Sequence, residues 1–256
     1  MHLLKTHSLP TPQADTFRVY WTNSPVRAGG LLRVRVAPRM ADAQIAAELA
    51  AIQYLLEDKG VLGNTVAGNA MTKLIVSAGA IRKLRRRGSD KLHLAPYANF
   101  LTTRFAGCTL GVDKDARWFA GFEPESIEDL VVASPRRETV KVAGLGEVSV
   151  TQHVLERFAD RFLSDTAPDR IAPDQVAQAA WKKLTDTAAD PSLREVARRG
   201  IWAKANYARQ GKPEGRYFLN ARRNLVLVIA DDRHKGLQLV TAYPATGRFH
   251  PLPDAA

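Results

Sequence analysis

The sequence predicts two domains in series, an α/β domain with a mixed sheet followed by an α+β domain in which helices precede antiparallel strands. Three observations predict this. In the first half, β-patterned and helix-patterned runs follow one another in the order strand, strand, helix, strand, helix, strand. In the second half the apolar period changes from helical to twofold after residue 210. Between them lies the polar, proline-interrupted stretch FEPESIEDLVVASPRRETVKVAG, which sets the boundary between Glu123 and Gly146 and divides the chain into residues 1–135 and 136–256.

The elements follow in order. Phe17 to Trp21 alternate as a strand, and Gly29–Gly30 introduce a second, LLRVRVA, with Leu32, Val34 and Val36 on one face and Arg33 and Arg35 on the other. Pro38 stops it. Asp42 is placed to cap a helix whose buried stripe is Ile45, Leu49, Ile52 and Leu56, closed by Gly60. A loop, a β-prone run from Lys73 to Ser77 and a helix from Gly79 to Arg87 come next. KLHLAP reads as a strand, and ANFLTTRFAGCTLGV as one or two more. In the second half the reading gives strands at Glu138 to Val142 and at EVSV. Thr151 then caps the helix QHVLERFADRF. Two further helices are expected, Ile171 to Asp186 and Ser192 to Gln210. Three strands end the chain, Arg216 to Leu219, Leu225 to Ala230 and Leu237 to Tyr243, with DDRHKG as a hairpin turn.

Charge narrows the function class. The 256 residues carry 37 Lys and Arg against 26 Asp and Glu, a formal charge of +11, so a polyanion is the natural partner. Cys108 stands alone, which excludes an intrachain disulfide and a thiolate zinc site. The start has no apolar run of signal-peptide length, and nothing approaches a membrane span, so a cytoplasmic location is expected and a membrane is not. Arg-over-Lys and Ala-rich usage points to a bacterium with a GC-rich genome. LGNTVAGNAMTK lacks the spacing of a phosphate-binding P-loop, and no H-E-x-x-H pair occurs, so no cofactor or metal is expected.

Two groups of residues carry the functional expectation. RKLRRRG is the densest basic run, and Arg33, Arg35, Arg82, Arg85, Arg86 and Arg87 are candidates for contact with backbone phosphates, which position a strand without reading it. In the second half His153, Arg157 and Arg161 recur every four residues and form one ridge of a helix. Arg198, Lys204, Arg216 and Arg223 add positive charge, with Tyr217 and Phe218 as stacking surfaces. Thr241 and Tyr243 share a strand face. An imidazole with an ordinary pKa of about 6.5 suits either proton role in metal-free ribonucleolysis. There a base activates the 2′-hydroxyl, an acid protonates the leaving 5′-oxygen, and arginine stabilises the phosphorane. An amphipathic helix needs a wet face in any case, and arginine often supplies it.

The order T-x-x-H-x-x-x-R-F-x-x-R-F, Trp181 on a following helix, and RYFLNARRNLVLVIADDRHKGLQLVTAYP resemble the superfamily uniting barnase, EndoU, colicins E5 and D and RelE, over residues 148 to 244. The resemblance implies helices packed on a four-stranded antiparallel sheet and a metal-independent endoribonuclease, often a toxin. It places the helix histidine at His153, the helix arginine at Arg157, the last-strand hydroxyl at Thr241, and the sheet cation at Arg216 or Arg223. No second histidine is well placed, so Tyr217 or Tyr243 would serve as the acid. Residues 17 to 105 resemble the ribonuclease H family, in which a glycine-containing hairpin precedes a helix with a glutamate, here Glu48 with Ala51 and Ile52. That family pairs Mg²⁺ with aspartates on the first strand and after the later one. Here those positions read as Thr22 or Asn23 and as Ser77 or Ala78, so the resemblance implies a catalytically degenerate domain. The alternatives are a non-catalytic RNA- or DNA-binding adaptor and a module that docks on an acidic partner such as an immunity or antitoxin protein.

Overall fold

A computed structural model describes residues 2–24, 28–37, 39–63, 72–163, 173–198, 215–234, 236–245 and 249–251. The chain forms two compact units, Met1–Arg136 and Arg137–Ala256, each with a mixed sheet and helices.

The first unit contains β1 (His2–Pro10), β2 (Thr16–Ser24), β3 (Gly29–Val36), α1 (Ala43–Glu57), β4 (Thr72–Val76), α2 (Gly79–Arg85), a 3₁₀ helix at Leu92–Thr102, β5 (Thr109–Val112), a 3₁₀ turn at Arg117–Phe119 and β6 (Ile127–Val132). Its six strands lie in the order β5-β4-β1-β2-β3-β6. The strands β1, β2 and β3 form an antiparallel meander, while β4 and β5 run parallel to β1, and β6 runs parallel to β3.

The first strand, HLLKTHSLP, was not expected. It is central, and Thr6, His7 and Ser8 are all buried, so it shows no alternation between apolar and wet positions. KLHLAP is not a strand. Pro96 lacks the N–H that a ladder needs, and the segment packs instead as the 3₁₀ helix. Asp42 does not cap α1 with its side chain. It adopts φ 58° and bonds the Lys91 ammonium at 2.7 Å.

One face of this sheet holds Leu4, Val19, Trp21, Leu32, Val34, Leu74 and Val76. It is covered by Leu49, Ile52 and Leu55 of α1 and by Ile81 and Leu84 of α2. The other face is split. Over its middle, the Arg117–Phe119 turn lays aromatic rings on β1 and β2. Phe119 stacks on Tyr20 at 4.5 Å and meets His7 at 5.0 Å, while Lys5 lies 5.0 Å from the Trp118 ring. Beyond that cover, Arg18, Arg33 and Arg35 stand exposed in the strands.

The second unit contains β7 (Thr139–Val142), β8 (Gly146–Ser149), α3 (Gln152–Phe162), α4 (Pro173–Ala188), β9 (Arg194–Arg198), β10 (Gly215–Asn220), β11 (Leu225–Asp232), β12 (Gly236–Pro244) and β13 (Phe249–Pro251). The expected four antiparallel strands are here a seven-stranded sheet, ordered β13-β9-β10-β11-β12-β8-β7, made mixed by the parallel contact of β8 with β12. The expected helix from Ser192 begins as a strand, because Arg194 to Val196 pair with β10. Residues 199–210 of that expectation lie outside the described residues. Thr151 caps α3 as expected, accepting from the Val154 N–H at 3.3 Å. The helices α3 and α4 cover Phe218, Leu225, Leu227, Ile229, Leu239 and Ala242. Val196, Tyr217, Val226 and Val228 form a separate cluster on the opposite face.

His7 generates a pH expectation. It is 7 % exposed, its Nδ1 has no partner, and burial holds its pKa below the ordinary 6.5, against the pull of Asp113. The fold therefore binds the His7 proton less well than the unfolded chain does. This part of the stability is complete above pH 6.5 and is lost as pH falls towards the lowered folded value. His7→Phe should flatten the loss between about pH 7.5 and about pH 5.5, read as urea midpoints beside the wild type.

Candidate functional site

The expected site of the second unit depends on strand parity. Tyr217, Val228 and Thr241 are direct neighbours across β10, β11 and β12 and share the face opposite the helices. Arg216, one residue from Tyr217, lies on the helix-covered face, its guanidinium 5.2 Å from the Phe218 ring and bonded to both Glu195 oxygens, at 2.8 and 2.5 Å. A strand sends successive side chains to opposite faces, so Arg216 and Tyr217 cannot flank one substrate atom. The Tyr217 ring is 8 % exposed among valines.

Thr241 meets a different arginine from the one expected. Arg161, in the last turn of α3, reaches β12 and donates through Nη1 to Thr241 Oγ1 at 2.7 Å and to the Ala242 carbonyl at 2.5 Å. Its guanidinium also lies 4.9 Å from the Tyr243 ring. Both bonds use one nitrogen, and the residue is exposed. His153 and Arg157 are exposed on the same helix. Among the described residues no hydrogen bond or ion pair joins either to Thr241. Arg223 is exposed in the turn after β10, its N–H bonded to Asn220. Arg198 falls within β9, and Lys204 lies outside the described residues.

In the first unit the candidate arginines divide between two sides of one sheet. Arg33 and Arg35 are on the outer face, and Arg33 is held bidentately by Asp129 at 2.8 Å. Arg82, Arg85, Arg86 and Arg87 belong to α2 and the turn after it, in the helix layer on the opposite side. Arg85 spends a hydrogen bond on the Ala106 carbonyl at 2.6 Å and acts as a structural tie. Arg82, Lys83 and Arg86 are exposed and have no ion pair among the described residues. Three cations near a helix C-terminus also complement its dipole, which accounts for part of their placement.

Glu48 is 1 % exposed, not on a wet face. Its Oε1 accepts from Thr6 Oγ1 at 2.9 Å and from the Ser77 N–H at 2.7 Å, and its Oε2 accepts from Ser77 Oγ at 2.6 Å. The Ala78 backbone adds a further bond. Burial pushes the carboxyl above the usual range, and these bonds pull it back in part. The first-strand residue facing Glu48 is thus Thr6, not Thr22 or Asn23, since those lie on β2. No sequence signal marked it, because the strand carrying it was itself hidden. A hard divalent cation needs several anionic oxygens, and here one carboxylate has both oxygens occupied by protein donors. The donor set does not fit Mg²⁺. Among the described residues no group of three His, Cys, Asp or Glu side chains could hold a metal, and no helix is long and apolar enough to cross a membrane.

No family model, curated protein or solved structure matches this chain.

Removing the Glu48 carboxyl strands two backbone N–H groups and two hydroxyls in the core. Glu48→Ala should cost at least about 3 kcal/mol by denaturant melts. Glu48→Gln should cost less, since its amide oxygen still accepts one N–H. A Glu48→Ala protein as stable as the wild type would show the cluster to be dispensable.

Proposed function

We propose that this chain binds nucleic acid, RNA in preference to DNA, and that it grips the phosphate backbone without reading sequence. The observation that carries this is the cluster Arg82, Lys83 and Arg86, exposed and unneutralised, while Arg33, Arg117, Arg136 and Arg216 each hold a carboxylate. Positive charge is also spread along the chain. The first unit has 18 basic against 12 acidic side chains and the second 19 against 14. RNA is named because residues 148 to 244 resemble the metal-independent ribonuclease superfamily. The ribonuclease H-like reading of the first unit is supported by the glycine-led hairpin before α1 and by Glu48 facing the end of β4. Thr6 and Ser77, where that family would hold metal aspartates, support a binding role for it and not a hydrolytic one.

A second reading, RNA cleavage in the second unit, is favoured by one observation. Arg161 brings a guanidinium to Thr241 and Tyr243 from the helix that also carries His153. In that reading Arg161 replaces Arg157 as the cation beside the hydroxyl, and His153 is the proton carrier. Tyr217, buried on the sheet, is replaced by Tyr243 as the candidate acid.

The binding reading is tested with labelled single-stranded RNA over a salt series. Replacing Arg82, Lys83 and Arg86 together by Ala should weaken binding about tenfold or more and flatten the salt slope by about two to three, close to one per lost phosphate contact. Unchanged affinity and slope would remove α2 from the interface. The cleavage reading predicts that RNA, and not DNA, is cut in the presence of EDTA and that His153→Ala abolishes it. Intact RNA under saturating protein rules that reading out and leaves the first standing.

A further inference from the structure

The two sheets end in four strands, and three of these edges are protected by means common in natural sheets. The strands β5 and β7 are four residues long, β7 exposes Lys141, and β13 has only three residues. The fourth edge, β6, is six residues long and presents Ile127 and Val131 at 56 % and 58 % exposure, two of the most exposed large apolar side chains described. Their position follows from register. Ile127 lies beside Leu31, Asp129 beside Arg33 and Val131 beside Arg35, all on the outer face, while Glu128 turns inward to Tyr54 and Lys59.

The backbone of β6 has the same parity. Leu31 and Ala37 of the neighbouring chain segment donate to the carbonyls of Ser126 and Val132, at 2.9 and 3.0 Å. Even-numbered residues of β6 therefore direct their backbone groups to β3, and Ile127, Asp129 and Val131 direct theirs to the free edge. Gly30 permits this close seating, since a Cβ there would come within 2.9 Å of the Ser126 carbonyl. Among the described residues no strand pairs with this edge, which offers three N–H groups and three carbonyls, flanked by two uncharged β-branched side chains, with no lysine or proline to deter pairing.

We propose that two copies of this chain associate through β6, antiparallel and centred on Asp129, joining their first sheets into one of twelve strands. The spacing is self-complementary, as a twofold interface requires. Centring on Asp129 sets Ile127 opposite the second copy's Val131, and Val131 opposite its Ile127, on one face. It also makes the three outward-directed residues the hydrogen-bonded pairs of the new ladder. The two Asp129 carboxylates meet at the dyad, where each is already neutralised by a bidentate Arg33. This places Arg18, Arg33 and Arg35 of both copies on one continued sheet face. The inference is independent of nucleic-acid binding, and its test uses the full chain free of nucleic acid.

Sedimentation over a wide concentration range should show a species of twice 28.2 kDa. Val131→Pro removes an edge N–H without touching the β3 ladder and should weaken the dimer about tenfold or more, the change counting twice across the dyad. Val131→Lys should act in the same direction and guards against misfolding of the proline variant, with circular dichroism as the check. Asp129→Cys should cross-link to a covalent dimer with a short bis-maleimide, since the one native cysteine, Cys108, is buried. A monomer at every concentration, or a dimer indifferent to both Val131 variants and not cross-linked at residue 129, overturns the proposal.

Discussion

Glu48 holds three elements of the first unit at a single point. Its carboxyl takes a hydroxyl from the central strand β1, and a backbone N–H and a hydroxyl from the end of β4, while the helix around it packs Leu49, Ile52 and Leu55 on the sheet. Burying a charge among apolar side chains is costly unless its oxygens are satisfied, and four donors satisfy these. The register of α1 over the sheet is therefore set by chemistry as well as by shape. A helix turned by one residue would leave a buried carboxyl and two backbone N–H groups without partners. The same saturation that makes the group a good anchor makes it a poor metal ligand, because its oxygens are already committed.

Which guanidiniums are committed in the same way separates the scaffold from the arginines proposed to bind. Arg33, Arg117, Arg136 and Arg216 all lie within 2.8 Å of a carboxylate oxygen, and Arg85 and Arg161 donate to main-chain carbonyls. An arginine so held is part of the protein's own polar network. In the first unit Arg82, Lys83 and Arg86 form one group of cations with no ion pair among the described residues, and the sheet with its helix layer separates them from Arg18 and Arg35. A single phosphate chain lying straight cannot touch both sides of that sheet. Net charge makes a polyanion the natural partner, and the pairing pattern decides which arginines are left to be proposed for it.

Much of the fold was legible because many of its elements have one wet face. LLRVRVA is a strand in sequence and in structure, with Arg33 and Arg35 outward and Leu32, Val34 and Val36 in the core. Thr151 and the apolar stripe after it gave α3 for the same reason. The central strand β1 stayed hidden because both of its faces are covered, one by α1 and the other by Phe119, so a lysine, a threonine, a histidine and a serine interrupt what would otherwise be an apolar run. REVAR falls in a run, Ser192 to Gln210, whose sequence predicts helix. Its pairing with β10, which is not encoded in those five residues, overrode that propensity. The candidate site was less legible still. Arg157 and Arg161 are both spaced correctly along one helix, and only the path of β12 past the last turn of α3 decides that Arg161 reaches Thr241.

The parity that separates Arg216 from Tyr217 also gives β6 its character. A strand paired on one side only has two kinds of residue, those whose backbone groups feed the existing ladder and those whose groups face outward. In β6 the second kind is Ile127, Asp129 and Val131, and these are also the residues whose side chains leave the core. Edges that must stay single usually carry a charge or a proline at such positions, and the only charge here is already cancelled by Arg33. A self-complementary edge six residues long, whose one outward carboxylate is paired within its own chain, is a costly thing to leave open, since it offers any extended chain a template. Its persistence beside three blunted edges on the same chain is best explained by a surface that is covered when the protein is at work.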